Sequence, residues 1–211
     1  MKDRSIAAKA ASVIAALSLL VGPALAAPNA IPLSGKWNFD PAHSSITFSI
    51  KHFGISEVHG RFDTFSGTIV ADAAHPANSS VSVTIDANSI NTDMAPRDAD
   101  VKGKNYLDTA DYPTITFKST TVKKTGKGAF VAVGNLTIHG VTKVVSLPFT
   151  IAGPIKDPMG GTRIGIVTGT TVNRVAYGVG GDNKLADGSF AIGVDVPIEI
   201  SIEAVPASSA K

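Results

Sequence analysis

Asp40, His43 and Ser44 come closest in this chain to a catalytic set, a carboxylate, an imidazole and a hydroxyl within five positions. Nucleophilic hydrolysis needs the base within hydrogen-bond reach of the hydroxyl. In an extended chain neighbouring side chains point to opposite faces, so His43 is badly placed to take the Ser44 proton. No Gly-x-Ser-x-Gly elbow occurs anywhere. The more economical reading is a turn in which Asp40 and Ser44 bond the backbone and His43 packs against it. Catalytic residues are therefore expected to be none, with a hydrolase kept as the competing class. The five histidines, 43, 52, 59, 75 and 139, include no i, i+2 pair that would put two imidazoles on one strand face, and no carboxylate cluster joins them in sequence. No metal site is expected. A haem would need an axial imidazole in an apolar pocket, and His52 is the one candidate.

Other polar residues suit binding better than catalysis. His52 follows Ile46, Phe48 and Ile50 in period-two order, so it falls at the inner end of a strand, facing a polar head group or a backbone carbonyl. Arg97 lies in the one stretch with helical character, where a guanidinium can meet an anionic or carbonyl oxygen of a ligand, or pair with Asp98, Asp100 or Asp108. Arg174 and Tyr177 precede the glycines Gly178 to Gly181 and can border the same opening.

The elements that would position these residues are strands. Short β-branched and apolar runs alternate with Gly, Pro, Asn and Asp clusters, which predicts eight or nine antiparallel strands. Their approximate spans are 45–53, 58–70, 80–87, 114–122, 130–138, 144–151, 163–172 and 190–204. Turns are read at His139-Gly140, Asp157 to Gly161 and Asp187-Gly188. Residues 93–107 predict one short helix, with Pro96 at its start, Asp98 and Asp100 early, and Lys102 and Lys104 late. Phe48, Ile50, Phe62, Val83, Ile85, Ile115, Phe117, Leu136, Ile138, Leu147 and Phe149 fall on apolar faces. Such a sheet must pack on a second sheet or close on itself, and about eight strands is the size at which a closed barrel holds one small ligand. The pattern alone does not separate the two, nor a lined lumen from a solid core.

The N-terminus reads as an export signal. Lys2, Arg4 and Lys9 precede an uncharged run over residues 10–21, then Gly22-Pro23 and the small-x-small site Ala24-Leu25-Ala26. Cleavage after Ala26 would leave one domain, residues 27–211, in the periplasm. Of 19 Lys+Arg and 17 Asp+Glu, the segment takes Lys2, Arg4, Lys9 and Asp3, which leaves 16 of each sign and no electrostatic case for nucleic acid. The absence of cysteine excludes disulfides, thiol catalysis and iron–sulfur ligation.

Trp37-Asn38-Phe39-Asp40-Pro41-Ala42-His43-Ser44, Gly60-Arg61-Phe62, Arg97-Asp98, Tyr106-Leu107, residues 111–119 from Asp111-Tyr112-Pro113, residues 134–143 from Gly134-Asn135-Leu136, Asn173-Arg174 and Tyr177-Gly178-Val179 follow one another in an order that resembles the YceI-like family. The resemblance implies an all-β, lipocalin-like antiparallel barrel with one short helix near its mouth and a long apolar cavity. It also implies a periplasmic binding or carrier role for a polyisoprenoid, an isoprenoid quinone or a similar lipid, with no cofactor. Transient membrane contact and a homodimer are the further partner expectations. A prenyl chain of about 40 carbons would lose on the order of 30 kcal/mol in moving from an apolar phase to water, at roughly 0.8 kcal/mol per methylene-sized group. Its carrier must therefore be dry inside.

Overall fold

The computed structural model describes residues 33–181 and 183–207. The expected signal segment, residues 1–26, lies outside the described residues. The strands are β1 (Gly35–His52), β2 (Ser56–Phe62), β3 (Phe65–Ala71), β4 (Ser80–Asp86), β5 (Ile90–Asn91), β6 (Thr114–Gly126), β7 (Ala129–Ile138), β8 (Val141–Lys156), β9 (Thr162–Asn173) and β10 (Asp195–Pro206), with one helix, α1 (Ala95–Lys102), before β6. Consecutive strands pair antiparallel from β6 to β10, β4 joins β6 to β3, and β10 pairs back onto β1. That last pairing closes the sheet into a barrel. β3 runs against Gly35–Asn38 of β1 and β2 against Thr47–His52, so the two together fill the place of one stave in an eight-stave wall. The sandwich alternative is thereby resolved in favour of the closed barrel.

Irregularities in register decide which side chains face the lumen. Between Asp40↔Glu203 and Ser45↔Ser201, β1 spends five residues while β10 spends two, a bulge of three extra residues. An odd insertion reverses parity. Trp37 and Phe39 therefore point inward with Ile46 and Phe48, opposite Pro206, Ala204, Ile200 and Ile198. The strand begins ten residues before the expected Ser45 because simple alternation breaks at this bulge. β6 shifts register between Ser119 and Thr121, which brings Val122 and Lys124 to the same wall as Ile115 and Phe117.

Three further expectations are corrected. The 58–70 strand divides at Asp63-Thr64, where the Asp63 carboxylate accepts bonds from Arg61 Nε (2.8 Å) and Asn91 Nδ2 (2.8 Å). The helix ends at Lys102 rather than Leu107, because Gly103 turns extended and the chain to Tyr112 folds into turns. The last strand starts at Asp195, and residues 190 and 192 make only isolated bridges to Lys184 and His52.

The bulge in β1 is fastened on the outer surface. Ser44 Oγ donates to the Asp40 carbonyl (2.6 Å) and accepts from the Glu203 N–H (3.0 Å), and the Ala42 N–H donates to the Asp40 carboxylate (3.1 Å). Asp40 and Ser44 thus hold the backbone as the sequence predicts, within a strand bulge rather than a turn. His43 lies against the bulge from the solvent side. Its side chain is 58 % exposed, with Nδ1 2.9 Å from Asp40 Oδ2. Arg163 completes the group, bonding Asp157 (2.7 Å), Asp40 (2.9 Å) and Glu203. The hydrogen bond from His43 and then that from Arg163 hold the Asp40 carboxyl below its ordinary value, and Arg163 does the same for Asp157.

A carboxyl lowered on folding stabilises the fold above its ordinary pKa, here 3.8, and the contribution is lost as pH falls below it. Arg163→Gln should lower Tm by a few degrees at pH 6 to 7. The gap to wild type should narrow progressively below about pH 4. Thermal unfolding followed across that range checks both the effect and its sign.

Candidate functional site

Inside the wall lies a cavity of about 660 Å3, a size usual for a buried small-molecule site. Its lining is overwhelmingly apolar and runs the length of the barrel. At one end, below called the α1 end, the rim includes Lys51, His52, Arg97 and Asp100. At the other it includes Leu33, Ala73, Pro76 and Lys124. Trp37 fills the interior at this second end, opposite Ile69 and Pro206, with its indole N–H donated to the Leu33 carbonyl (3.0 Å).

All the residues expected on the ligand face border this cavity. They are Phe48, Ile50 and His52 of β1, Phe62 of β2, Val83 and Ile85 of β4, Ile115 and Phe117 of β6, Leu136 and Ile138 of β7, and Leu147 and Phe149 of β8, together with Arg97, Arg174 and Tyr177. The register explains the grouping, since Val83 stands beside Phe117, and Phe117 beside Leu136, on one continuous inner face. Phe48 can lie across the wall only because its partner is Gly60, where a Cβ would come within 2.4 Å of the ring.

Several wall residues escaped the sequence reading. Phe39 lies before the parity-reversing bulge. Phe130 of β7 and Ile164 and Ile166 of β9 also line the lumen, and carrying the alternation through those strands finds them. Ile198 and Ile200 of β10 fall on an apolar face that the alternation does show, and they line the lumen beside the expected residues. Val101, Tyr106 and Leu107 reach the cavity from α1 and the turns after it, where no strand period applies.

The polar residues are less alike than their shared location suggests. Arg97 makes no ion pair with Asp98, Asp100 or Asp108. Its Nε donates to Thr92 Oγ1 (2.8 Å) and its Nη2 to the Thr92 carbonyl (2.7 Å). Asp98 also grips Thr92, through the hydroxyl (2.6 Å) and the backbone N–H (2.8 Å), and those bonds hold its carboxyl below the ordinary value. Thr92 thus orients the guanidinium at the cavity wall. His52 sits exposed on the rim with its ring against Phe53, centroids 4.0 Å apart. Tyr177 is 3 % exposed, and burial raises its phenol above the ordinary value.

Arg174 is buried and donates to the carbonyls of Val179, Gly181, Ile192 and Gly193 at 2.8 to 2.9 Å. It ties Val179 and Gly181, and Ile192 and Gly193, to the end of β9. A guanidinium bound to several main-chain oxygens is a clamp that shapes this wall of the cavity.

A pair of carboxylates does gather around one imidazole, contrary to the sequence reading that no carboxylate cluster joins the histidines. Asp40, His43 and Glu203 bring their ligand atoms within 4.8 Å of one another, through a contact between strands distant in sequence. Arg163 already bridges Asp40 and Glu203 there. The Ser44 hydroxyl donates to the Asp40 and Glu203 carbonyls, while His43 turns to the Asp40 carboxylate, so the three side chains do not form a nucleophile and its base.

Arg174→Met should strip charge-assisted bonds from buried carbonyls and cost about 3 to 5 kcal/mol. A Tm lower by ~10 °C is the expected reading for a domain of this size. A side chain serving only as a ligand contact would leave Tm in place and change affinity alone.

The model for the YceI-like domain matches residues 37–204. A UPF0312 protein of Shewanella putrefaciens is 38 % identical over 184 residues, covering 87 % of this chain and 95 % of the relative. A UPF0312 protein of Yersinia pestis is 41 % identical over 72 % of this chain and 76 % of its own. Among solved structures, the Campylobacter jejuni YCEI protein superposes with a TM-score of 0.62 at 29 % identity, over 74 % of this chain and 88 % of that one. Burkholderia cenocepacia BcnA superposes at 0.70 with 24 % identity, over 79 % and 99 %. A polyisoprenoid binding domain from Saccharophagus degradans superposes at 0.60 with 17 % identity, over 81 % and 98 %, and shares the fold. With a family model spanning most of its length and relatives matched nearly end to end, this chain belongs to the YceI-like family.

Proposed function

We propose that the protein binds and carries a long-chain apolar lipid of the polyisoprenoid class, a prenyl alcohol or phosphate or an isoprenoid quinone, within the barrel lumen and outside the cytoplasm. The observation that carries this reading is the roughly 660 Å3 tube walled by Phe, Ile, Leu and Val from every stave of a closed barrel. Ordinary protein interiors are close-packed, with few voids larger than a water molecule. A lumen of this size and apolarity matches what a prenyl chain needs, since each methylene-sized group kept from water is worth roughly 0.8 kcal/mol. The polyisoprenoid-binding character of one fold neighbour supports the same reading, and the signal-like pattern read in the sequence of residues 1–26 supports placement in the periplasm. In this account the apolar side chains hold the chain, and His52 and Arg97, with Tyr177 deeper in the wall, meet its polar end. The protein works by binding, without catalysis and without a cofactor.

Phe117 tests the reading at the middle of the tube, between Val83 and Leu136. Phe117→Arg places a charge on the dry wall and should cost several kcal/mol of ligand affinity. A displacement assay with a fluorescent isoprenoid should show loss of binding by about 100-fold or more in protein that still unfolds cooperatively. A folded variant that binds as well as wild type would overturn the lumen as the binding site.

A further inference from the structure

The β1–β2 hairpin pairs His52 with Ser56 and turns through Phe53-Gly54-Ile55, with a β-turn over His52 to Ile55 centred on Phe53 and Gly54. The Ile55 N–H donates to the His52 carbonyl (3.2 Å), and both central residues have positive φ, +52° at Phe53 and +69° at Gly54. Asn-Gly or Asp-Gly is the ordinary choice for such a turn, because a bulky side chain disfavours the left-handed region. This turn carries Phe53, 45 % exposed, followed by Ile55, 87 % exposed. Backbone preference and water both oppose the arrangement, and a strained residue kept at an exposed tip points to a use. The β7–β8 hairpin supplies a contrast. Its His139-Gly140 turn also has positive φ at both positions, but His139 is half-buried with its ring on Tyr112 at 4.4 Å, whereas Phe53, whose ring meets only the exposed His52 at 4.0 Å among the described rings, stays open to water.

The position of the tip identifies what covers it. Lys51 and His52, the two residues before it, border the cavity. The Phe53 N–H donates to the Ala191 carbonyl and the Gly193 N–H to that of Lys51, so the tip rises directly from the rim at the α1 end. Met94, which caps α1, is 51 % exposed at the same end. At the far end Met159 is 88 % exposed, but it does not border the cavity, and its turn is held by the Asp157 carboxylate without a bulky residue in the left-handed region. A prenyl chain passing between lumen and bilayer stays out of water only where rim and bilayer touch.

We propose that the Phe53-Gly54-Ile55 tip inserts into the surface of a lipid bilayer and seats the α1-end rim against it. The proposal rests on the reading of the lumen as a lipid site. On the tip and the adjoining 184–193 segment Lys51 and Lys184 are balanced by Glu57 and Asp187. Contact therefore depends on apolar insertion rather than on anionic head groups.

The test is flotation of the purified, lipid-stripped protein with phosphatidylcholine vesicles, beside solution binding of a fluorescently labelled geranylgeraniol and its transfer rate from those vesicles. Ile55→Asp should reduce vesicle binding and transfer on the order of tenfold while solution binding stays unchanged. Phe53→Asn should do the same with Tm equal to or above that of wild type, because Asn accepts the left-handed turn, an outcome that a merely structural Phe53 would not give. Met159→Asp should change neither. Wild-type protein that fails to float, an Ile55→Asp variant that floats and transfers normally, or loss of flotation only in Met159→Asp would each overturn the proposal, as would self-association through the tip without vesicle binding. Normal flotation with no geranylgeraniol binding would instead sink the lipid-site reading and leave docking standing.

Discussion

Pairing of β1 with β10 is the contact on which the rest of the molecule depends. An eight-stave sheet with one apolar face has no second layer among the described residues to cover it, so that face can leave water only if the sheet meets itself. Closure demands that both partners turn the same side inward over their whole common length. β1 satisfies this only through its three-residue bulge, which brings Trp37 and Phe39 into line with Ile46 and Phe48. The Arg163 cluster and the Ser44 hydroxyl hold that bulge from outside. Residues that superficially resembled catalytic parts are the fastening of the seam.

The interior formed by closure is not filled like an ordinary core. Buried clusters gather at the α1 end, around Leu107, Ile138 and Tyr177, and toward the other end, around Trp37, Ile164 and Ala204, with the tube running between and beside them. The α1 end is dressed by elements of a different kind. No residue of α1 is buried, and its attachment relies on Thr92 with Arg97 and Asp98, while Arg174 binds the loop opposite through main-chain carbonyls. The wall is thus hydrophobic and continuous, and one rim is held by polar bonds. Polar latches of this sort open locally more readily than strand ladders, which suits the end through which a ligand would pass.

Much of this was legible in the chain, for physical reasons that can be named. Period-two alternation in Ile46-Thr47-Phe48-Ser49-Ile50, and again around Ile115-Thr116-Phe117, reports a half-buried strand directly. Every residue chosen on that basis borders the cavity. What alternation cannot report is a bulge, since an odd insertion reads as the end of a strand, and Gly35 to Ser44 was lost from β1 for that reason. Nor can it report side chains arriving from another part of the chain. Glu203 and Arg163 join Asp40 across 163 and 123 positions of sequence, and the carbonyls around Arg174 come from an irregular loop. Arg97 borders the cavity, but it is held by Thr92 rather than by the neighbouring acids, and a hydroxyl beside its own backbone carbonyl leaves no charge pattern in the sequence.

The central claim is that the tube is a lipid site, and the most direct measurement is the native mass of the protein isolated from its own host without detergent, followed by organic extraction. The account predicts a discrete added mass that extraction releases as an isoprenoid-chain lipid, absent from Phe117→Arg prepared the same way. A protein that carries no such mass, and that takes up none when incubated with isoprenoid vesicles, would contradict it.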